Sequence, residues 1–221
     1  MTKNSWTSYY LKKKTQLSYP AEAVIRIFNG KYPNLNFQYK KNDKILDIGF
    51  GDGRHLFFFK SINLDVYGIE ISKLILKKIK TKKFNLKKGN CHNIPFNNYF
   101  FDIIFAWNSC YYMGKNKKNF DLKKNIFEMH SKLKRNGFII LSFPTKNCFI
   151  FSKSISIKKK YRIIKNDYFK MRNGEIMRFF KNKKEIKDEF KSLFLNFSFK
   201  TISIDCFGIK YNWIVMIAQK K

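Results

Sequence analysis

The chain is predicted to adopt an α/β fold, in which helices cover both faces of a seven-stranded, mostly parallel sheet. Apolar runs of strand length alternate with longer stretches of helical periodicity, and this alternation is typical of a parallel sheet. One such run ends in an acid and three alternating glycines, which indicates a strand, a tight turn and a following helix. The last two apolar runs are joined by a short polar link, which indicates an antiparallel pair at one sheet edge.

The pattern places seven strands and five helices along the chain. The strands are predicted at 44–48, 65–69, 84–88, 101–106, 137–143, 197–204 and 212–218. The helices are predicted at 21–29, 53–61, 72–80, 117–133 and 183–195. Ser72 is a suitable N-cap for the third helix. Asn136-Gly137 is a suitable stop between the fourth helix and the fifth strand.

A single domain with four segments accommodates these elements, since 221 residues suffice for one sizeable core. The segments are an N-terminal part (1–42), a core (43–143), an insertion (144–182) and a C-terminal part with the last helix and strands (183–221). The N-terminal part is aromatic and polar, with one expected helix. In the insertion, Asn173-Gly174 between aromatic and apolar runs predicts a hairpin.

Composition favours a folded, cytoplasmic protein. Hydrophobic residues make up 44% of the chain and aromatic residues 18%, which excludes global disorder. No signal peptide is expected, because the polar start lacks an apolar stretch, and no apolar run approaches the roughly 20 residues that span a bilayer. The widely spaced cysteines argue against a disulfide framework and against a metal site; they are Cys91, Cys110, Cys148 and Cys206.

The formal net charge of +31 admits two interpretations. An anionic partner, such as RNA or a phosphorylated or nucleotide-linked metabolite, would be attracted by a field of this sign. Compositional drift is the alternative, because Lys, Asn, Ile, Phe and Tyr are all abundant and the lysines are spread along the whole chain. We favour drift over a dedicated nucleic-acid surface.

The glycine turn is the most specific motif. Asp47 ends the first predicted strand, and Gly49, Gly51 and Gly53 follow it as D-x-G-x-G-x-G. A dinucleotide fingerprint, G-x-G-x-x-G or A, would need a small residue where Arg54 stands. The spacing therefore disfavours a nicotinamide-dependent oxidoreductase.

This stretch resembles the first motif of the class I S-adenosylmethionine-dependent methyltransferases at every fixed position. The resemblance implies a Rossmann-like fold, S-adenosylmethionine as cofactor and S-adenosylhomocysteine as its product. It also implies that Gly49 and Gly51 lie against the methionine and ribose portions of the cofactor. Asp47 would lie beside the amino group of the cofactor.

Two further motifs extend the resemblance to the second and third strands. Glu70 directly follows the second predicted strand, where the family carries an acid that accepts hydrogen bonds from the ribose hydroxyls. Ile71 either packs against adenine or is an ordinary residue at the edge of the core. The stretch from Gly89 to Phe96 resembles G-D-A-x-x-L-P-F, with Asn90 in place of the acid that accepts from the adenine amino group. An Asn oxygen can make the same bond, and Cys91 would line the adenine pocket.

The resemblance continues through the fourth and fifth strands and covers residues 44–143. Phe101-Asp102-Ile103-Ile104 resembles the F-D-x-I/V motif, and 133–138 resembles the L-K-P-G-G segment. Asn108, with the two residues after it, would face the methionine end and the transferring methyl group. These motifs are specific for the cofactor class and carry little information on the substrate.

Aromatic residues near the N terminus suggest a lid. Trp6, Tyr9, Tyr10, Tyr19 and Arg26 belong to a segment that related enzymes fold over the cofactor. An aromatic lid would exclude water and hold the substrate against the sulfonium, which aromatic faces also favour. The alternative is that these aromatic residues only cap the sheet.

Methyl transfer is an in-line displacement that positioning accelerates, and a hydroxyl nucleophile usually also needs a base. His92, after the third strand, and Tyr111, after the fourth, are the candidate catalytic residues, and His55 also follows the glycine turn. His130 lies inside a predicted helix and is interpreted as structural.

Candidate substrate contacts are Tyr112 and, in the insertion, Arg172, Arg178 and the basic run 158–162. For each of these cations a solvated basic surface is the alternative.

The sequence predicts a methyltransferase that acts on an oxygen of a small anionic metabolite, such as a nucleotide-linked sugar or a phosphate-bearing precursor of a surface polysaccharide. Neither an RNA-binding domain nor an N/D-P-P-Y/F motif after the fourth strand is evident. An RNA methyltransferase, supported by the charge alone, is one alternative. A non-catalytic S-adenosylmethionine-binding protein is another.

Overall fold

A computed structural model describes residues 5–12, 17–79, 83–115 and 121–221. The first four residues of the helix expected at 117–133 and the last residue of the helix expected at 72–80 lie outside these ranges.

Seven strands form the main sheet, as the sequence predicts. They are β1 Lys44–Ile48, β2 Asp65–Glu70, β3 Asn85–Lys88, β4 Phe101–Ala106, β5 Leu133–Pro144, β9 Phe194–Cys206 and β10 Ile209–Lys220. Their spatial order is β3-β2-β1-β4-β5-β10-β9. The first five strands are parallel, and β10 runs antiparallel to both β5 and β9. The predicted fold class is thereby confirmed.

Six helices flank the sheet in the described part of the chain. They are α1 Ser5–Leu11, α2 Glu22–Asn29, α3 Arg54–Ser61, α4 Lys73–Ile79, α5 Leu122–Lys132 and α6 Lys183–Phe190. Asp121 caps α5 by accepting from the Lys123 N–H at 2.9 Å. Ser72 Oγ accepts from the Ile75 N–H at 3.4 Å, as expected of an N-cap. No helix among these is long and apolar enough to cross a membrane.

Alternating side chains of the strands build a core on each face of the sheet. Ile45 of β1 packs in one cluster with the apolar sides of α2, α3 and α4, represented by Ile27 and Leu56. Leu46, the next residue, packs in the other cluster with α5 and α6, represented by Met129. Successive strand residues point to opposite faces, so a strand covered on both sides reads as a continuous apolar run.

The N-terminal part and the insertion differ from the prediction. Helix α1 was not expected, since seven residues with no charged side chain carry little periodicity. In the insertion, β6 Ser154–Lys158, β7 Tyr161–Ile164 and β8 Ile176–Arg178 form a separate antiparallel sheet.

The hairpin expected at Asn173-Gly174 is wrong in its position. The tight turn lies at Lys159-Lys160, between β6 and β7. Gly174 lies instead near the end of the long connection to β8, with φ +81°, and its N–H donates to the Ile164 carbonyl oxygen at 2.9 Å. A positive φ favours glycine in a long loop as well as in a hairpin turn. The Asn-Gly dipeptide alone therefore does not distinguish between the two.

Replacing Ile104 by Ala should destabilise the fold by about 2–5 kcal/mol, because the lost side chain leaves a cavity in the central strand β4. Ile104 is fully buried between Leu46 of β1 and Ile139 of β5. Urea unfolding measures the change, and Ile155→Ala is the control, since Ile155 of β6 is 54% exposed. Equal losses in the two variants would contradict this account of the core.

Candidate active site

A cleft of about 500 Å³ opens at the carboxyl ends of the parallel strands. Gly49 follows β1, Glu70 ends β2, Asn90 follows β3 and Asn108 follows β4, and all four line this cleft. Parallel α/β sheets bind ligands at this edge, where the connections diverge. Its volume lies within the roughly 300–1,000 Å³ of small-molecule sites.

The glycine turn admits neighbouring groups that a side chain would exclude. Gly49 and Gly51 have φ angles of +71° and +55°. A Cβ on Gly49 would lie 2.9 Å from Ser109 Cβ, and one on Gly51 would lie 2.6 Å from Tyr10 Cζ. The turn therefore needs glycine both for its backbone angles and for the close approach of α1 and the loop after β4.

Glu70 fixes the ends of β1 and β2 relative to each other. Its Oε1 accepts from the N–H groups of Ile71 at 2.8 Å and Ser72 at 3.1 Å. Its Oε2 accepts from the Gly51 N–H at 3.4 Å. Burial raises the pKa of Glu70, and these backbone hydrogen bonds oppose the rise. The carboxylate is thus held in one orientation at the cleft, where it can accept from a pair of ligand hydroxyls.

The loop after β3 forms the far wall of the cleft. The backbones of Asn90 and Asn93 pair through reciprocal hydrogen bonds of 3.2 and 3.1 Å. Asn90 Oδ1 accepts from the His92 N–H at 3.1 Å, and an amide oxygen has a second lone pair for a ligand. Cys91 and His92 line the cleft here, with the imidazole of His92 exposed.

Asp47 carries a buried carboxylate oxygen without a partner. The residue is 1% exposed, and Oδ2 accepts no hydrogen bond within the described residues. Burial raises the pKa of the Asp47 carboxyl well above its ordinary value, Asp52 and Glu70 add to the rise, and Arg54 opposes it. A cationic group in contact with this oxygen would relieve the cost of burying it.

Asp47 lines a second, smaller cavity of about 140 Å³, which we call the aromatic chamber. The chamber adjoins the cleft, because Gly49, Asn108 and several aromatic residues line both. All three tryptophans of the chain face it, together with four tyrosines, Phe50 and Arg172; the tryptophans and tyrosines are Trp6, Trp107, Trp213, Tyr9, Tyr10, Tyr111 and Tyr112.

Helix α1 lies across the cleft and the chamber. Thr7 Oγ1 donates to Ser72 Oγ at 2.9 Å, and Lys78 Nζ donates to the Tyr10 carbonyl oxygen at 2.8 Å, so α4 holds one side of the helix. On the other side, the Trp6 ring meets the Tyr112 ring edge-on, with centroids 5.5 Å apart. Residues of α1 thus form part of the lining of both cavities.

Hydrogen bonds tie the chain after α1 to Asp52 of the glycine turn and to the first two residues of α3. Asp52 Oδ2 accepts from the Leu17 N–H at 3.1 Å, and Arg54 Nη1 donates to the Tyr19 carbonyl oxygen at 3.5 Å. His55 Nε2 accepts from the Ala21 N–H at 3.3 Å. Sequence reasoning missed these roles, because the motif constrains only the glycines and the first acid.

Arg172 joins the insertion to this site. Its Nη1 donates to both carboxylate oxygens of the fully buried Asp167, at 3.1 and 3.2 Å. Its Nε donates to the Tyr112 hydroxyl at 3.1 Å, and its guanidinium lies 5.1 Å from the centre of the Trp6 ring.

Strand β8 supports the same wall through the backbone. Met113 N–H donates to the Ile176 carbonyl oxygen at 2.8 Å, and Arg178 N–H donates to the Tyr111 carbonyl oxygen at 3.0 Å. The loop after β4 is therefore held by hydrogen bonds to a strand far away in sequence.

Most residues predicted for the cofactor lie at the two cavities. Those that line them are Asp47, Gly49, Glu70, Ile71, Asn90, Cys91 and Asn108. Gly51 and Gly53 lie in the turn behind them. Tyr10, Tyr111, Tyr112 and Arg172, from the lid, catalytic and substrate predictions, line the chamber. Their roles stay predictions.

Three residues predicted for substrate or lid contacts lie elsewhere. Tyr19 is 83% exposed, because the backbone and not the ring of this segment faces the glycine turn. Arg26 is exposed on α2 and pairs with Glu22 at 2.7 Å. Arg178 is buried against Glu189 at 2.7 Å, where it joins the insertion to α6. None of the three lines either cavity, and neither does the basic run 158–162.

Comparison with known proteins agrees with the fold. Residues 46–141 match the family model for a methyltransferase domain. A search of curated proteins finds no match. The matched segment runs from β1 to β5 and contains the glycine turn, Glu70, Asn90 and Asn108.

Solved structures of low sequence identity share the fold. A chain of a Haloferax volcanii complex that contains the Trm112 methyltransferase activator has a TM-score of 0.65 and 11% identity, with 100% of this chain and 99% of that chain covered. A Methanosarcina mazei S-adenosylmethionine-dependent methyltransferase has a TM-score of 0.62 and 22% identity, with 86% and 98% covered. Haemonchus contortus phosphoethanolamine N-methyltransferase 2, in complex with phosphomonomethylethanolamine and S-adenosylhomocysteine, has a TM-score of 0.57 and 15% identity, with 90% and 51% covered.

Residues 46–141 are thus similar to a methyltransferase domain, and the fold is shared with solved S-adenosylmethionine-dependent methyltransferases. The resemblance recognised in the sequence is thereby confirmed, and S-adenosylmethionine is the cofactor that this class uses.

Replacing Asp47 by Asn should weaken S-adenosylhomocysteine binding about 10- to 100-fold, the effect of losing a hydrogen bond to a charged group. The cofactor-free variant should be more stable than the wild type at pH 7. The buried carboxyl holds its proton more tightly when folded, so its ionisation destabilises the fold as the pH rises, and Asn removes that effect. Calorimetric titration and thermal unfolding measure the two changes.

Asp188→Asn is the matched control, because Asp188 is a surface acid of α6. It should leave S-adenosylhomocysteine binding unchanged. Unchanged binding in the Asp47→Asn variant would show that the cofactor's amino group lies elsewhere.

His55 should make the fold sensitive to acid. Burial lowers the pKa of His55 from 6.5 to about 3, and Arg54 adds to the effect. Below pH 6.5 the imidazole of His55 therefore binds a proton in the unfolded chain but not in the folded chain. The folded state consequently loses stability as the pH falls below 6.5. His55→Gln keeps an acceptor for the Ala21 N–H but cannot titrate. Relative to this variant, the wild type should lose about 1.4 kcal/mol of unfolding free energy for each pH unit below 6.5, as measured by urea unfolding.

The exposed His92, changed to Gln, is the control and should not alter this pH dependence. If His55→Gln followed the wild-type curve down to pH 5, the buried imidazole would not be the source of the acid sensitivity.

Proposed function

We propose that this chain transfers the methyl group of S-adenosylmethionine to an oxygen of a small anionic molecule bound in the aromatic chamber. The main support for this proposal is the chamber itself, a space of about 140 Å³ that adjoins the cleft at Gly49 and Asn108. Its walls come from α1, the glycine turn, the loop after β4, the insertion and β10. An acceptor there would reach the cofactor only at its methionine end.

The residues of the cleft fit the cofactor in its predicted orientation. Glu70 would accept from the two ribose hydroxyls, and Asn90 would accept from the adenine amino group. The unpaired oxygen of Asp47 would receive the amino group of the methionine portion. When bound, the cofactor supplies a methyl group that is carried by a positively charged sulfur. On transfer of the methyl group, that sulfur is left as a neutral thioether.

The chemistry of the chamber supports an acceptor that needs no general base. Burial raises the pKa of Tyr111 well above its ordinary value and also raises that of Tyr112, so both phenols stay protonated. His55 is already engaged with the Ala21 N–H. His92 lies by Asn90 in the cleft and outside the chamber lining. An oxygen that is already ionised, as in a carboxylate or phosphate, attacks without proton removal.

The small volume of the chamber, about 140 Å³, favours a small molecule over RNA. Helix α1 and the insertion both contribute to its walls, and the basic run 158–162 lies outside both cavities. The Haemonchus contortus neighbour is in complex with phosphomonomethylethanolamine, a small molecule that carries a phosphate. We propose a cytoplasmic reaction on a metabolite of this size, with sugar phosphates and precursors of surface polysaccharides as the first acceptors to test.

Methyl-labelled S-adenosylmethionine should label a small, ribonuclease-resistant, anionic fraction when it is incubated with the protein and an extract of the source cells. Size separation followed by anion exchange identifies that fraction. Gly51→Val is the control, because its side chain would strike Tyr10 and disturb the turn, and it should transfer no label.

Label in a large, ribonuclease-sensitive fraction would overturn the small-molecule proposal in favour of RNA. Cofactor binding without transfer to any fraction would instead support a non-catalytic binding protein.

A further inference from the structure

We propose that Arg172, together with Tyr112 and Trp213, forms a subsite that binds a carboxylate or phosphate group of the acceptor. The inference rests on the proposed function, because it assigns a wall of the aromatic chamber to the anionic part of that molecule. All three side chains line the chamber, and they come from the insertion, the loop after β4 and strand β10.

Arg172 is the buried cation of this wall. Its guanidinium side chain is 11% exposed and is held by both oxygens of Asp167, so its orientation is fixed before a ligand arrives. Its Nη2 makes no hydrogen bond within the described residues, while Nε and Nη1 are engaged. An arginine held in this way offers the two N–H groups of Nη2 to the oxygens of an anion.

The neighbouring side chains of the same wall are hydrogen-bond donors. Trp213 is 8% exposed, and its indole N–H faces the Tyr111 hydroxyl without forming a hydrogen bond of normal geometry. The Tyr112 hydroxyl accepts from Arg172 Nε and retains its own proton to donate. A buried donor without a partner, here the Trp213 N–H, favours a ligand that brings acceptor oxygens.

The chamber carries charged groups of both signs on its walls. Asp47 and Asp52 lie on the wall formed by the glycine turn, where the cationic part of the cofactor is expected. Arg54 pairs with Asp52 there at 4.0 Å, so Asp47 Oδ2 is the buried acceptor that this wall leaves without a partner within the described residues. Arg172 and Trp213 lie on walls formed by other segments, and their charge and donors suit the opposite sign. An acceptor held by its anionic group at Arg172 would be oriented within the chamber beside the methionine end of the cofactor.

Intrinsic fluorescence reports on this subsite without a label, because all three tryptophans of the chain line the chamber. Protein saturated with S-adenosylhomocysteine is titrated with sodium acetate and, separately, with inorganic phosphate at constant ionic strength. A saturable change in tryptophan emission is expected for at least one of them. The tighter of the two identifies the acceptor group as a carboxylate or a phosphate.

Arg172→Lys is the main variant, since it keeps a positive charge beside Asp167 but loses the planar donor. It should weaken anion binding about tenfold or more and leave S-adenosylhomocysteine binding within about twofold. Tyr112→Phe, which removes one hydroxyl, should weaken anion binding by a smaller factor. Arg162→Lys is the matched control in the same insertion, where Arg162 lies over Phe179 and outside the chamber; it should change neither affinity.

Two results would overturn the subsite. The first is an anion titration that is not saturable in the wild type, or that is equal in the wild type and Arg172→Lys. The second is a loss of S-adenosylhomocysteine binding in Arg172→Lys, which would make Arg172 a ligand of the cofactor's own carboxylate. Either could occur while the protein still transfers label to a small acceptor, so failure of the subsite is distinguishable from failure of the proposed function.

Discussion

The site depends on the positive φ angles of the glycine turn. Because Gly49 and Gly51 carry no side chain, Ser109 and Tyr10 can lie directly against the turn. The same turn donates the Gly51 N–H to Glu70 and presents Asp52 to the segment after α1. One loop of five residues thus contacts the end of the second strand, the loop after the fourth strand, the N-terminal helix and the segment after it.

The sequence predicts well those parts of the site that are encoded within one segment. Asp47, the glycines and Glu70 follow directly from strands that end at the same edge of the sheet, and the structure places them together. The enclosure of the site could not be predicted in this way. Arg172 and Tyr112 are 60 positions apart in the chain, and no local residue pattern predicts their contact.

The insertion shows the same limit in its backbone. Asn173-Gly174 correctly marks a sharp turn, but the partner strand of that region is decided by tertiary hydrogen bonds. Strand β8 pairs with β7 on one side, and on the other it bonds to the loop after β4. The insertion therefore does more than cover the sheet, because it stiffens the loop that carries Tyr111 and Tyr112.

The acidic residues are distributed unevenly, and this has a consequence for how ligands arrive. Five of the fifteen acids line the two cavities: Asp47, Asp52, Glu70, Asp121 and Glu175. Three cations line the same cavities, Arg54, Lys124 and Arg172, so the positive net charge of +31 comes from residues outside the two linings. A field of that sign would repel S-adenosylmethionine, a cation, outside the cleft, and it would attract the anionic acceptor that we propose from a distance. Added salt screens both effects, so ionic strength should speed cofactor entry and slow acceptor capture.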